Sequence, residues 1–166
     1  MRIVVTDANI FFDLIGIGAL SLFFQLDHEV HTTVLVVDEF SDGDLAALQP
    51  FITRSQLLVR SFTAEEMQNV ERTGKRKGLR PADRSILLHA HELKALILTG
   101  DGSVRKECMD MDLECHGILW CVEQFLANGH YSKDQCLLAL DTLQSINKWL
   151  PRSKLQELVE KVGRLP

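Results

Sequence analysis

Near its start the chain reads Arg2-Ile-Val-Val-Thr-Asp7-Ala-Asn9, a short β-branched run that ends in an acid and an amide. An unbroken apolar run of this length is typical of a strand that is buried in a sheet. Asp and Asn favour leaving a strand and opening a helix. The stretch therefore predicts a buried strand whose exit places Asp7 before the next helix.

Similar runs alternate with helical patterns through most of the chain. Strands are predicted over residues 2–6, 29–32, 57–62, 95–98 and 114–118. Two short helices are predicted within 10–25, broken at Gly16 and Gly18, and further helices over 34–40, 44–51, 64–77, 81–93, 104–111, 119–127, 133–146 and 153–162, with a turn at 41–43. This alternation indicates an α/β fold with a central parallel sheet.

The length of the chain favours one domain. It has 166 residues, of which 46% are apolar, enough for one compact core and short for two. We expect a core over about residues 1–130 and a helical C-terminal extension over about 131–166, serving packing, dimerisation or partner binding. The apolar run from Leu14 to Leu26 contains Gln25 and is shorter than the ~20 residues that a membrane helix needs, so no membrane association is expected.

Three more acids occupy positions like that of Asp7. Glu39 lies in Val-Val-Asp-Glu-Phe, Asp83 in Pro-Ala-Asp-Arg-Ser and Asp101 in Leu-Thr-Gly-Asp-Gly-Ser. Each acid alone has an ordinary explanation as a helix cap or turn residue. Open parallel sheets, however, gather functional groups at the carboxyl ends of their strands. Acids that converge there repel one another and need a cation, and Mg²⁺ or Mn²⁺ are the simplest because hard divalent ions take oxygen ligands.

The order and context of these acids resemble those of the PIN-domain ribonucleases, particularly the compact prokaryotic VapC-type toxins. The similarity covers about residues 2–129 and includes His116-Gly-Ile-Leu, which looks like the family's last strand and following helix. The matching polar residues are Asp7, Asn9, Glu39, Asp83 and Asp101. The resemblance implies a three-layer α/β/α PIN-like fold and the hydrolysis of RNA phosphodiester bonds with Mg²⁺ or Mn²⁺.

The resemblance also implies a role for each acid. Asp7, Glu39, Asp83 and Asp101 would be the catalytic residues and the metal ligands. Asp7 and Asp101 would be the primary ligands, and Glu39 and Asp83 would complete the site or orient bound water. Periodicity does not choose between Asp38 and Glu39, and the resemblance selects Glu39.

Smaller polar residues would support the ligands through hydrogen bonds. By the resemblance, these residues are Asn9, Thr99 and Ser103. Family members often carry another acidic or polar ligand shortly after the last acid, and this chain has only Ser103 there. One or two metal ions therefore stay open alternatives.

A basic run opposes the overall charge of −5. Between residues 72 and 84, six Lys or Arg residues accompany a single acid. Clustered cations suit phosphate binding, although a solvated helix face is the alternative. Arg84 and Arg105 are candidates to hold a phosphate, and Arg105 could equally be an ordinary surface residue. The cations that would guide the flanking RNA backbone are Lys75, Arg76, Lys77 and Arg80.

Cysteine, histidine and tryptophan add little to this prediction. The four cysteines contain no Cys-x-x-Cys pair and are expected to be reduced and mostly buried, as in a cytoplasmic protein. His89 and His91 point to nearly opposite sides of a helix, so we expect ordinary, partly exposed side chains. Trp120 and Trp149 could stack bases, but Trp in an apolar helix is more often a core residue.

Three functional hypotheses follow. The first is a metal-dependent endoribonuclease, acting on RNA, whose partner could be a small antitoxin protein as in toxin-antitoxin pairs; the family also suggests a homodimer. The second is a catalytically weak or inactive PIN-like module that binds RNA or protein. The third is an α/β phosphotransfer module in which Asp7 or Asp101 is phosphorylated, although such a site would not require all four acids.

Overall fold

Five strands form one parallel sheet in a computed structural model that describes all residues, Met1–Pro166. The strands are β1 Arg2–Thr6, β2 His28–Thr33, β3 Leu57–Arg60, β4 Leu96–Leu98 and β5 Cys115–His116. They lie in the order β3-β2-β1-β4-β5, and every neighbouring pair is parallel. The prediction of an α/β fold with a central parallel sheet is confirmed.

Ten helices connect and follow the strands. The first five are α1 Ala8–Gly16, α2 Leu20–Phe23, α3 Val34–Val37, α4 Asp42–Thr53 and α5 Ala64–Arg72. The others are α6 Pro81–Leu93, α7 Gly102–Asp110, α8 Ile118–Ala127, α9 Lys133–Ile146 and α10 Arg152–Gly163. No helix is long and apolar enough to span a membrane.

Alternating residues of β1 and β4 enter two different cores. Val4 and Leu98 pack in a cluster of 23 buried residues with side chains from α1, α8, α9 and α10. Val5 and Ile97 pack in a cluster of 12 with side chains from α3, α6 and α7. Because successive strand residues point to opposite faces, the sheet lies between two helical layers. The C-terminal helices belong to the larger core, in which Leu140 of α9 is fully buried.

The central strands bring their carboxyl ends together. Thr6 pairs with Leu98 across the β1–β4 ladder, and the backbone N–H of Asp7 donates to the Leu98 carbonyl at 2.9 Å. Thr32 in β2 donates its hydroxyl to the Thr6 carbonyl at 2.8 Å. The residues that follow β1, β2 and β4 therefore share one edge of the sheet.

Several predicted boundaries were wrong for local reasons. Helix α4 begins at Asp42 because Ser41 caps it, where a turn was predicted over 41–43. Helix α5 ends at Arg72 instead of reaching residue 77, since Gly74 and Gly78 adopt positive φ angles of 78° and 89° that leave the helical conformation. β5 has only two residues, where five were predicted.

Helix α3 is also shorter than predicted. It stops at Val37, and the chain continues as a turn in which the Glu39 N–H donates to the Val36 carbonyl at 3.0 Å. The Thr33 side chain caps the helix by accepting a hydrogen bond from the Val36 N–H at 3.3 Å. Glu39 thus follows the helix rather than lying inside it.

Two expectations about aromatic side chains were wrong. His89 is 5% exposed, and its Nε2 lies 3.1 Å from His31 Nδ1, because α6 packs this position against β2. Trp149 is 91% exposed, since the chain between α9 and α10 turns it away from the core. The cysteines are all free, and only Cys115 is not fully buried.

Candidate active site

Asp7 lies at the centre of the acidic site, at the junction of β1 and α1, and is fully buried. Its Oδ1 accepts a hydrogen bond from the Ala8 N–H at 2.8 Å. Its Oδ2 accepts one from the Thr99 hydroxyl at 2.7 Å and one from the Asn9 side-chain amide at 2.8 Å. Three donors therefore fix the orientation of this carboxylate.

Thr99 and Asn9 also connect Asp7 to the loop after β4. The Thr99 hydroxyl accepts a hydrogen bond from the Asp101 N–H at 3.1 Å, and Asn9 Oδ1 accepts one from the Gly100 N–H at 2.8 Å. A Cβ at Gly100 would lie 3.4 Å from Asn9 Oδ1, which is van der Waals contact, so Asn9 packs closely on this loop. The structure thus brings Asn9 and Thr99 to Asp7 and places Asp101 beside them.

Asp101 caps the start of α7. Its Oδ1 accepts hydrogen bonds from the Ser103 and Val104 N–H groups at 2.8 and 3.0 Å. Its Oδ2 has no hydrogen bond within the protein, and the residue lines an adjoining groove. Ser103 contributes here through its backbone, because its side chain is exposed and makes no hydrogen bond to an acid.

Asp83 and Glu39 meet at the guanidinium of Arg80. Asp83, in the first turn of α6, accepts from the Arg80 N–H at 2.8 Å, from Nε at 3.3 Å and from Nη2 at 2.9 Å. Glu39 accepts from Arg80 Nη1 at 2.6 Å. The Asp83 side chain is 3% exposed, whereas the Arg80 side chain is 54% exposed. Arg80 therefore joins two of the predicted metal ligands from the solvent side.

Three of the acids share one electrostatic environment. Burial raises the pKa of Asp7, the Thr99 hydrogen bond opposes this, and the charge of Asp83 raises it further. Burial also raises the pKa of Glu39, where Arg80 acts in the opposite direction and Asp7 and Asp83 add repulsion. The hydrogen bond to Asp83 raises the pKa of Arg80. Asp7, Glu39 and Asp83 thus lie close enough to repel one another.

The chemistry of these donors fits a hard divalent cation. Thr99 joins Asp7 to Asp101, and Arg80 shows that a cation is accepted between Glu39 and Asp83, so all four acids offer carboxylate oxygens of the kind that a hard divalent ion prefers. No three His, Cys, Asp or Glu side chains form a complete ligand set in this conformation. The residues therefore fit Mg²⁺ or Mn²⁺ by donor type, and the guanidinium occupies the space between two of them.

Comparison with known proteins identifies the family. The family model described as a PIN domain matches residues 3–164. The chain belongs to the PIN-domain family. In structure it is similar to a PilT N-terminus domain protein from the archaeon Sulfolobus solfataricus P2, with a TM-score of 0.47 and 17% identity over 76% of this chain and 92% of that chain. No curated protein matches.

Two of the predicted phosphate-binding arginines of this PIN domain contact backbone carbonyls. Arg84 donates to the carbonyls of Thr73 and Gly74, so it holds the loop after α5. Arg105 Nη1 donates to the Thr99 carbonyl at 3.3 Å and lies beside the acidic site. Only Arg105 of this pair lines the groove next to Asp101.

The basic loop, which we define as residues 73–80 between α5 and α6, is held in place by the buried side chain of Glu107. Glu107 is 2% exposed and accepts hydrogen bonds from the Lys75 and Arg76 N–H groups at 2.9 and 3.2 Å. The Arg76 side chain pairs with Asp110 at 2.6 Å. The side chains of Lys75 and Lys77 are exposed and form no ion pair. Phosphate binding by these two lysines stays a prediction.

A groove that the sequence did not reveal extends from the acidic site. It has a volume of about 1070 Å³, starts at Asn9 and Asp101, and runs between α8 and α10. Its cations are Arg105, Lys154 and Lys161, and Trp149 stands on its far wall. Because the wall is built by the packing of the C-terminal helices, no local motif predicts it. Nothing in the sequence signalled this groove, since Trp149 was expected to be a core residue.

A buried acid holds the Trp149 backbone in place. Asn147 donates its side-chain amide to Asp13 Oδ2 at 2.8 Å, and its Oδ1 accepts the Trp149 N–H at 3.0 Å. Burial raises the pKa of Asp13 to about 6, and the hydrogen bond from Asn147 opposes this. The exposed indole of this PIN domain is therefore carried on a fixed backbone.

Proposed function

We propose that this PIN domain is a metal-dependent endoribonuclease that hydrolyses RNA phosphodiester bonds. One observation carries the proposal: buried Asp7 is joined through Thr99 to Asp101, and the charges of Asp7 and Asp83 both raise the pKa of Glu39. Open parallel sheets bind ligands at the carboxyl ends of their strands, and hard divalent cations prefer oxygen donors. These four acids would hold Mg²⁺ or Mn²⁺, which supplies a Lewis acid and lowers the pKa of water.

The surrounding residues prepare the acids for this role. Thr99 and Asn9 hold Asp7 Oδ2, and the Ala8 N–H holds its Oδ1, so little reorganisation is needed when a cation binds. The start of α7 holds one oxygen of Asp101 and leaves the other without a protein donor. Fixed ligands of this kind raise metal affinity because their orientation is set before binding.

The adjoining groove is the proposed path of the RNA. Arg105 and Lys154 would contact phosphates, and the indole of Trp149 would stack on a base, as in other single-strand binding sites. The exposed lysines at 75 and 77 would contact the backbone on the other side of the acids. Single-stranded or loop RNA is favoured because a base must leave its stack to reach Trp149.

The test is cleavage of a single-stranded RNA by the purified protein with Mn²⁺. EDTA should abolish cleavage, and so should the Asp7→Asn, Asp101→Asn double variant, while circular dichroism shows that the fold survives. Asp141→Asn, an exposed change on α9, is the matched control and should cut like the wild type. Equal cutting by the double variant would mean that a contaminant or another site is responsible.

A second candidate is a PIN-like module that binds RNA or protein without cutting it. The contact of Arg80 with Glu39 and Asp83 favours this candidate, because a guanidinium can neutralise the pocket permanently. RNA binding without cleavage in any divalent metal would support it. Of the two phosphorylation sites that a phosphotransfer module could use, Asp7 is disfavoured, since it is fully buried and both of its oxygens accept hydrogen bonds.

The partners and location are further proposals. Four free cysteines are in keeping with a reducing cytoplasm. Leu138 and Ile146 on α9 are 65% and 48% exposed and would suit contact with a second copy or a small antitoxin. Light scattering of the purified chain tests the homodimer, and co-purification with its genetic neighbour tests the antitoxin.

A further inference from the structure

Arg80 is the only residue whose side chain donates hydrogen bonds to the carboxylates of two of the four acids. Its guanidinium donates to Glu39 at 2.6 Å and to both oxygens of Asp83, at 2.9 and 3.3 Å. Its positive charge also lowers the pKa of Asp7 against the effect of burial. The single positive charge of Arg80 therefore stabilises the ionised forms of three neighbouring carboxylates, those of Glu39, Asp83 and Asp7.

A divalent ion and this guanidinium need the same oxygens. A carboxylate that accepts a bidentate hydrogen bond from an arginine presents fewer free lone pairs to a metal. Two cations in the same pocket would also repel each other. Uptake of Mg²⁺ or Mn²⁺ by Glu39 and Asp83 therefore requires the Arg80 side chain to leave.

The backbone of Arg80 permits such a movement. Its N–H donates to Asp83 at 2.8 Å, and Pro81 follows at the first position of α6, so the main chain is fixed. The side chain is 54% exposed and approaches the acids from the solvent side. The guanidinium can therefore move into water without any change in the helix, as a long amphipathic side chain readily does.

We propose that Arg80 is the built-in counterion of the acidic pocket, and that a divalent cation must displace its guanidinium to bind. This inference rests on the proposed function, in that it concerns the metal site of the same pocket. Without metal, Arg80 stabilises the clustered acids; with metal, its contacts with Glu39 and Asp83 are broken. Arg80 therefore sets the metal concentration at which the pocket fills.

Calorimetric titration of metal-free protein with Mn²⁺ tests the inference. Arg80→Gln removes the charge and keeps much of the length, so it should bind Mn²⁺ at least tenfold more tightly than the wild type, since tenfold is about 1.4 kcal/mol, which lies between the values for one charge contact in bulk water and at an effective dielectric of about 20. Arg80→Lys keeps the charge and should stay close to the wild type. The metal-free Arg80→Gln protein should melt at a lower temperature and gain more from Mn²⁺. Unchanged or weaker binding by Arg80→Gln would overturn the inference.

A measurement on the wild type covers the case in which the variant fails to fold. In the NMR spectrum of protein labelled with ¹⁵N at arginine, the Arg80 Nε–H signal, identified by its absence in Arg80→Lys, should move toward the position of a free guanidinium when Mg²⁺ is added. Mg²⁺ binding that leaves this signal in place would overturn the inference.

The same titration separates this inference from the proposed function. Mn²⁺ binding by Arg80→Gln but not by the wild type would support Arg80 as the counterion and count against a metal-dependent wild-type enzyme. Equal Mn²⁺ affinity with active RNA cleavage would overturn the inference and leave the function standing. Binding by neither protein would overturn both.

Discussion

Thr99 donates its hydroxyl hydrogen bond to Asp7 Oδ2 at 2.7 Å, although 92 residues separate the two along the chain. The contact joins the exits of β1 and β4, which are neighbours in the sheet. A buried carboxylate that loses a donor keeps its desolvation cost without compensation. This pair is therefore the structural link between the two acids that we propose as primary ligands.

Removing the Thr99 hydroxyl should destabilise the protein. Thr99→Val keeps the shape and should lower the free energy of unfolding by about 1–3 kcal/mol. The loss should be larger at pH 8 than at pH 5, because the hydroxyl stabilises the ionised form of Asp7 and thereby lowers its pKa. Urea unfolding at the two pH values measures this effect. Thr99→Ser keeps the hydroxyl and should stay near the wild type; equal losses for both variants would contradict this role.

Ionisation of the buried Asp13 side chain should lower the free energy of unfolding as the pH rises. Its pKa is about 6 in the folded state against an ordinary value of 3.8, so the native state binds more protons than the unfolded state between these values. The contribution of Asp13 is therefore favourable at pH 4 and is lost as the pH rises through 6. Asp13→Asn keeps an acceptor for Asn147, and at pH 8 it should raise the free energy of unfolding by up to about 3 kcal/mol.

Thermal unfolding from pH 4 to pH 8 checks this prediction. The difference between Asp13→Asn and the wild type should grow with pH and level off above pH 7. Asp141→Asn, at an exposed position, should show no such trend. A difference that is constant with pH would mean that Asp13 does not titrate with a raised pKa.

Glu107 should protect the basic loop from cleavage by proteases. Glu107→Ala removes the acceptor of the Lys75 and Arg76 N–H groups, so the loop should loosen and trypsin should cut after Lys75, Arg76 and Lys77 about tenfold faster, corresponding to about 1.4 kcal/mol of local stability. Mass spectrometry of a short digestion locates the cuts. Asp110→Ala removes only the exposed pair with Arg76 and should change the rate little. Equal rates for the two variants would contradict the anchoring role of Glu107.

The fold could be predicted because its signals are local. The β-branched run 2–6 and the apolar run 95–98 marked central strands, and the acids at their exits followed from the parallel arrangement. The caps that Thr33 and Thr63 form are local in the same sense, since each involves positions only three residues apart. Helix ends beside Gly74 and Gly78 were less certain, because a glycine tolerates several backbone conformations.

The contacts that define the site were harder to predict from the sequence. The contact of Arg80 with Asp83 spans three residues, but its contact with Glu39 spans 41, and only the packing of α3 against α6 brings them together. The basic run left phosphate binding and a solvated helix face as alternatives, and neither anticipates that Arg80 contacts Glu39 or that Arg84 donates to the Gly74 carbonyl. The exposure of Trp149 likewise depends on how α9 and α10 pack on the domain.

Trp149 should contribute to RNA binding without supporting the fold. Trp149→Ala should weaken binding of a short single-stranded RNA in EDTA by about 5- to 100-fold, the range for loss of one base stack. Fluorescence anisotropy of labelled RNA measures this, and the melting temperature should not change, because the side chain is 91% exposed. Trp149→Phe keeps an aromatic face and should retain most of the affinity. Wild-type affinity in Trp149→Ala would place the RNA elsewhere.

The most direct test of the central claim is an anomalous difference map from crystals of the protein soaked in Mn²⁺. We predict a peak within about 2 Å of carboxylate oxygens of Asp7 and Asp101, with Glu39 and Asp83 turned toward it and Arg80 withdrawn, as short oxygen–metal distances require. Crystals of protein that cleaves RNA but binds Mn²⁺ only at a site away from these acids would contradict the account.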